Sequence, residues 1–362
     1  MPEKEVYRRL AEVLDTLPNG FPPTEDGVEI RLLEKIFSEE EAALFCELRL
    51  TFETPAEIAL RTGRSPAQLE ECLSVMAEKG QVFMITLGGE RFFRMLPWVF
   101  GIYEFQLSRM DRELAELSEA YRPTFAARFF SDRPQLMQTL AVEEVIPSVQ
   151  EALPYEKISA IIENGQSFLV NDCICKVERG LLGHPCTKPV QVCLAVAPIP
   201  GVFDGSPRGR VLTREEAFAL LRETEEAGLV HLTANVQVGQ IYICNCCGCC
   251  CGVLRAINDL DVPASLVVNS HYFGVIDPDA CSGCGLCAEE RCQVKAISFG
   301  DGAFRIDPER CIGCGLCIST CPAGAVRLVH RDPDQSTVPP FTEDDWYRER
   351  ARLRGVDYST YR

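Results

Sequence analysis

The chain has 362 residues, a net charge of −17, 46% hydrophobic residues and 20 cysteines. This length allows two or three domains with cores of their own, and the acidic balance disfavours binding of a phosphate backbone by the molecule as a whole. The N-terminus (Met1-Pro2-Glu3-Lys4-Glu5) has neither a basic nor an apolar stretch, so the cysteines point to metal ligation in a reducing cytoplasm rather than to disulfides.

Residues 1–37 open with a short amphipathic helix through Val6, Leu10, Val13 and Leu14, and the Pro/Gly-rich stretch Leu17–Pro23 then reads as an extended arm. Three helix starts follow in residues 38–97. Ser38 with Glu41, Thr54 with Glu57 and Ser65 with Gln68 each have capping-box spacing, and Pro55 and Pro66 sit at first helical positions. The third helix, Pro66–Glu78, leads into Val82–Leu87, Gly88-Gly89 and Glu90–Met95, which predict a hairpin. Three helices and a hairpin make this module winged-helix-like. Nucleic acid is nevertheless disfavoured as its partner: Ser38–Leu96 holds ten acids against six bases, and the third helix presents Glu70, Glu71 and Glu78 where groove contacts require donors. Cys46 and Cys72 lie on apolar helix faces and read as core thiols.

Residues 98–165 read as a helical connector, with apolar spacing from Ile102 to Ala120 and Pro123 expected to stop the helix. No Gly-rich nucleotide-binding motif occurs. The most apolar run, Val190–Val202, is interrupted by Gln191, Pro198 and Pro200, so no membrane span is expected.

Residues 166–262 form a cysteine-rich unit. A strand at Ser167–Val170 precedes Cys173, Cys175, Cys186 and Cys193. A capped helix (Thr213 with Glu216) follows, and a strand at Gln240–Ile243 delivers Cys244, Cys246, Cys247, Cys249, Cys250 and Cys251. A helix from Gly252 to Leu260 would turn its free N–H groups toward those thiolates. Cys244, Cys247 and Cys250 are spaced as one comb of ligands, with Cys246 and Cys249 on the other side. Adjacent cysteines point apart, so these residues predict two groups facing two directions, completed by Cys173, Cys175, Cys186 and Cys193. Two [4Fe–4S] clusters would use eight of the ten thiols; a single unusual multi-iron cluster, a zinc site and a catalytic dithiol are the alternatives. His184, His231 and His271 are weak ligand candidates, and Lys176, Arg179 and Lys188 stand near enough in sequence to balance thiolate charge.

Residues 263–330 carry Cys281-x2-Cys284-x2-Cys287-x4-Cys292 and then Cys311-x2-Cys314-x2-Cys317-x3-Cys321-Pro322. Three thiolates two residues apart can wrap a loop around three irons, and Gly283, Gly285, Gly313 and Gly315 let backbone N–H groups approach the sulfurs. A zinc ribbon or a disulfide framework would also use Cys-x2-Cys pairs, but neither explains two such combs offset by thirty residues. The stretch of about residues 271–330 resembles the bacterial two-cluster ferredoxins. The resemblance implies a ferredoxin-like 2[4Fe–4S] domain in which each fourth thiolate comes from the other repeat. One cluster would then be held by Cys281, Cys284, Cys287 and Cys321, the other by Cys311, Cys314, Cys317 and Cys292. Two features depart from the pattern: four residues precede Cys292, and Gln293 stands where proline is usual.

Residues 331–362 form a tail with a mixed-charge helix from about Thr342 to Arg354. The expected architecture is therefore an α+β multidomain chain: arm, winged-helix-like module, helical connector, cysteine-rich iron–sulfur unit, ferredoxin-like domain and tail. The expected function is passage of single low-potential electrons to a redox partner protein through several [4Fe–4S] clusters, two in the C-terminal pair and two more, or one multi-iron cluster, upstream. A reductase with a substrate-accessible iron or thiol in the 244–251 loop is the first alternative, and a redox-sensing winged-helix regulator the second.

Overall fold

The computed structural model describes residues 3–142, 157–300, 302–332 and 336–362, which mix helices and strands. The chain divides into two compact units, each assembled from separated segments. The first comprises Met1–Asp132, Val177–His184 and Tyr347–Arg362; the second comprises Arg133–Lys176 and Pro185–Trp346.

In the first unit the helix Glu3–Thr16 packs on Val28–Ile36 and Glu39–Phe45, burying Leu10, Leu14, Leu32, Leu33 and Ile36 almost completely. The helix Val28–Ile36 had no start signal in the sequence, because Gly27 supplies the N-cap with a left-handed backbone and no side chain. Both capping boxes at Ser38/Glu41 and Thr54/Glu57 form, whereas Ser65 makes no side-chain cap bond and Pro66 alone starts the helix Pro66–Glu78. Strands β1 (Val82–Leu87) and β2 (Glu90–Met95) pair antiparallel around Gly88-Gly89.

The expected helix Ile102–Ala120 is corrected twice. Its first part is short separate turns, and the regular helix is Arg112–Phe129, started by Asp111, whose carboxylate accepts from Leu114 N at 2.8 Å. It also runs through Pro123. Proline inside a helix costs about 3 kcal/mol, but Tyr121, Phe125 and Phe129 continue one buried stripe across it, with rings 5.8 and 4.8 Å apart. Each such side chain contributes about 1.5–3 kcal/mol on burial, so the stripe outweighs the break. The C-terminal segment is held by Arg350, which is fully buried, donates to the carbonyls of Pro18, Phe129 and Asp132 at 3.0, 2.6 and 2.9 Å, and lies over the Phe129 ring. Cys46 is buried, which pushes its thiol up to about 11.

The second unit is built on a seven-stranded sheet in the order β6-β4-β5-β8-β7-β3-β9. Its strands are β3 (Met137–Leu140), β4 (Ser167–Asp172), β5 (Gln191–Ala197), β6 (Arg210–Leu212), β7 (Val230–Ala234), β8 (Tyr242–Cys246) and β9 (Val268–Asn269). All neighbours are antiparallel except β3 and β9. Leu140, Ile162, Val170, Leu194, Leu221 and Ile243 form a buried core with the helices Ile158–Asn164 and Arg214–Glu226. The segment 98–165, expected to be helical, thus contributes the inner strand β3; its residues 143–156 lie outside the described residues. Farther along, β10 (Tyr272–Ile276) pairs with β13 (Val326–His330), and β11 (Ile297–Gly300) pairs with β12 (Ala303–Ile306). No helix among the described residues is long and apolar enough to cross a membrane.

Candidate metal centre

The sheet topology gathers the upstream cysteines at one sheet end. Because β4 and β8 both run antiparallel to β5, the ends of β4 and β8 and the start of β5 lie together, which brings Cys173, Cys193 and Cys246 to the same edge. Strand β8 starts two residues later than the sequence suggested and itself carries Cys244 and Cys246. Asn245, between them, points the other way. It accepts from His231 Nδ1 at 2.6 Å and from Thr224 Oγ1 at 3.2 Å, and its Nδ2 donates to Val192 O at 2.6 Å. Burial pushes His231 down to about 4, with the Asn245 bond partly opposing it, so the imidazole is neutral and serves as a core donor. His184 is exposed and joins neither thiol group, and His271 is half-buried at the end of β9.

The ten thiols form two adjoining sets, Cys173 and Cys175 of the one packing against the core that holds Cys247 and Cys250 of the other. Cys186, Cys247, Cys249 and Cys250 have all four sulfurs within 4.8 Å of one another, with Cys249–Cys247 at 3.4 Å and Cys186 at 3.7 Å from both Cys247 and Cys249. Cys250 hydrogen-bonds Cys247 and pushes it down to about 5, against burial and with help from Cys249 and the nearby Lys176 ammonium. The same crowding, with burial, pushes Cys249 up to about 12 and Cys250 up as well. The second set is larger. Cys193 and Cys246 both bond Cys244 and push it down to about 5; Cys251 bridges Cys246 and Cys175; and Cys173 sits against Cys175. The expected comb of Cys244, Cys247 and Cys250 does not form: the chain turns between Cys246 and Cys247, sending Cys244 to the six-thiol set and Cys247 and Cys250 to the four-thiol set.

The helix Gly252–Asp259 starts immediately after this loop, with Cys251 as N-cap. Lys176 is almost wholly buried and donates to Pro189 O. Lys188 donates to Ala227 O, and Arg179 pairs with Glu119 at 3.5 Å.

Downstream, Cys281, Cys284, Cys287 and Cys321 line one cavity, walled on its apolar side by Ile276, Leu286, Phe304 and Val326. Cys292, Cys311, Cys314 and Cys317 lie close enough for their charges to act on one another; burial first, and then these neighbours, push Cys314 up to about 12 and Cys317 and Cys292 up as well. Backbone N–H groups point at the sulfurs: Ala296 N to Cys292 at 3.1 Å, Ala325 N to Cys321 at 3.3 Å, and Gly274 N to Cys311 at 3.4 Å. The bonds at Cys292 and Cys321 come from the same relative position, four residues on, so the extra residue before Cys292 is absorbed in the turn Cys287–Arg291. Gly313 has positive φ, and a Cβ there would meet Tyr272 O at 2.2 Å, so only glycine lets the second loop approach β10.

The first and second cysteine-rich segments are also locked together within this unit. Gly248 N donates to Gln293 Oε1 at 3.0 Å, and Asn258 Nδ2 reaches both Gly248 O (3.2 Å) and Gln293 O (2.9 Å). Arg310 adds a bond to Ile257 O at 3.2 Å. In the sequence Gln293 stands out only as a departure from proline.

The downstream thiolates, in two groups of four with amide donors on Cys292, Cys311 and Cys321 and an apolar wall beside Cys281, Cys284 and Cys287, fit iron–sulfur clusters by donor chemistry: such buried thiolates need positive charge, which iron supplies. A family model described as a 4Fe-4S binding domain matches residues 304–327, the span that holds Cys311, Cys314, Cys317 and Cys321. No curated protein matches the chain.

Proposed function

We propose that this iron–sulfur protein passes single low-potential electrons to a redox partner protein through several clusters. The C-terminal pair would be held as in two-cluster ferredoxins, by Cys281, Cys284, Cys287 and Cys321 and by Cys311, Cys314, Cys317 and Cys292. Cys186, Cys247, Cys249 and Cys250 would hold a third, and Cys173, Cys175, Cys193, Cys244, Cys246 and Cys251 would supply the ligands of a fourth. Bound clusters supply reversible one-electron chemistry. The chain's own contributions are burial, the N–H donors from Ala296, Ala325 and Gly274, and the Gly248–Gln293 clamp that fixes one cysteine loop against the other.

The observation that carries the reading is the gathering of four upstream thiols within 4.8 Å of one another, with the other six linked pairwise beside them, in the same unit as the 4Fe-4S domain. Iron and acid-labile sulfide in anaerobically purified protein test it. About sixteen irons per chain are expected for four cubanes, against about eight for a two-cluster module; eight irons together with bound zinc would restore a zinc-scaffold reading of the upstream sets.

One observation favours a reductase as second reading. The six-thiol set exceeds a cubane's need by two, and Cys249 of the other set is exposed, so an open iron or a reactive thiolate would have to lie in the 244–251 loop. Substrate-dependent change confined to the upstream EPR signals would select this reading. The winged-helix-like arrangement of Glu39–Phe45, Pro55–Thr62, Pro66–Glu78 and the β1–β2 hairpin is read as a packing module, since Glu70 is paired with Arg91 at 3.6 Å and Arg64 with Glu47 at 2.7 Å.

A further inference from the structure

A second cavity, of about 100 Å³, lies in the sheet-bearing unit beside the Cys311 loop. Its wall includes Cys311 and Ile312 together with Arg133, Arg331, Gln135 and Asn269. Two of these side chains already brace the wall or the loop: Asn269 Nδ2 is taken by Asn235 Oδ1 and Thr337 O at 3.0 and 2.7 Å, and the Arg331 guanidinium lies over the Phe273 ring and donates, among the described residues, from Nη2 alone to Pro308 O and Cys311 O.

Three capacities are left over. Arg133 is half-buried and makes one side-chain hydrogen bond among the described residues, from Nη1 to Ser265 O at 2.8 Å. Arg331 feels Glu309 and Cys311 through space, but neither guanidinium has a carboxylate partner among the described residues. In a chain with 53 acids and 36 bases, two half-buried arginines at one cavity with no carboxylate in ion-pair contact among the described residues are unusual. Gln135 is 5% exposed and donates from Nε2 to Ser265 O at 2.8 Å, while its buried Oε1 has no hydrogen-bond partner among the described residues. A buried acceptor left unmade is costly, so its position beside two cations asks for a group that is anionic yet retains a proton to donate.

We propose that this cavity binds a small oxyanion carrying its own hydrogen-bond donor. The arginines take the anionic oxygens and Gln135 Oε1 accepts from the ligand's O–H or N–H. A cavity of about 100 Å³, where about 10–15 Å³ is enough for one water, has room for bicarbonate, hydrogen phosphate or a two-carbon hydroxy acid. Because Cys311 forms part of the wall, bound negative charge would lower the reduction potential of the cluster assigned to Cys311, and this electronic consequence rests on the function proposed above.

Calorimetry on the full-length, cluster-loaded protein tests the site, with bicarbonate, phosphate and glycolate as candidate ligands and acetate as the donor-free control. One site per chain is expected for at least one candidate, with acetate about tenfold weaker or worse. Arg133→Gln is expected to weaken binding about tenfold or more, and Gln135→Glu, which keeps the shape but adds a negative charge, to do the same. Gln135→Leu should bring glycolate down to the level of acetate. Arg133 is the arginine to change because Arg331 also braces the Cys311 carbonyl. No binding by any candidate, or binding indifferent to Arg133→Gln and Gln135→Glu, would overturn the site. Bicarbonate, phosphate and glycolate separate an inorganic from an organic source of the oxyanion. A redox titration with the tightest ligand should move one cluster's midpoint to more negative values, and an unmoved midpoint would overturn the link to Cys311. Iron measured in the same samples separates failure of the function from failure of the site: absent iron removes the cluster reading, while the calorimetry still decides whether the cavity binds.

Discussion

At Gly248 the backbone comes so close to Gln293 that an added Cβ would lie 2.0 Å from Gln293 O. Gly248→Ala is therefore expected to destabilise the cysteine loop by about 1–3 kcal/mol, read as a lower Tm of the cluster-loaded protein with altered upstream EPR signals; an unchanged Tm would show that the clamp gives way freely. The partition of the thiols makes a second prediction. Cys186→Ser should perturb the set with Cys247, Cys249 and Cys250 and leave the other set intact, while Cys193→Ser should do the reverse. Loss of all upstream signals from either change would mean one shared cluster. The cysteine positions were legible in the sequence, because spacing along the chain constrains which sulfurs can share a loop. How the 244–251 run divides was not, since the turn after Cys246 is set by the pairing of β8 with β5 and β7, a long-range contact that leaves no local mark. Gln293 was visible as an exception, but its partner lies 45 residues away.

Among the elements, those with chemical start signals were the readable ones. Ser38/Glu41, Thr54/Glu57 and Thr213/Glu216 each satisfy two orphan helix donors, so sequence and structure agree there. The helix after Gly27 has no such signal, and the helix across Pro123 is held by a stripe of aromatic side chains whose burial only the folded unit reveals. Glu41 also ties elements together, accepting from Ser38 N at 2.9 Å, Lys79 at 2.5 Å and Gln81 at 2.8 Å. Burial alone would raise its carboxyl, but these donors prevail and hold it below the usual value of 4.5. Its contribution is therefore complete above about pH 4.5 and is lost as pH falls through the lower folded value. Glu41→Gln should cost about 1–3 kcal/mol at neutral pH and flatten that acid limb in denaturant titrations followed by circular dichroism; a variant with the same acid limb would refute the assignment.

For the whole molecule, the two units differ in what they ask of iron. The described residues of the first hold only Cys46 and Cys72, far apart in sequence and outside both sets, whereas the second holds all the grouped thiols. Stripping iron anaerobically with a chelator should therefore abolish the cooperative unfolding of the second unit and leave the helical signal and transition of the first largely in place, as seen by calorimetry and circular dichroism. Simultaneous collapse would mean that the first unit depends on the second. The net charge of −17 carries a further expectation: no sequence-specific DNA complex with steep salt dependence at physiological ionic strength, measured by fluorescence anisotropy.

The clamp between Gly248 and Gln293 also has a meaning in time. A ribosome delivers the 244–251 cysteines before the residue that closes their loop exists, and every sulfur of the earlier sets emerges ahead of Gln293 and Asn258's second acceptor. A nascent chain halted at residue 262 would present ten thiols without the backbone that seats them. The order of synthesis thus makes the C-terminal segment the last part of the mould for the upstream sets; if these sets take iron as proposed above, iron delivered too early would meet a loop still free to choose the wrong sulfurs.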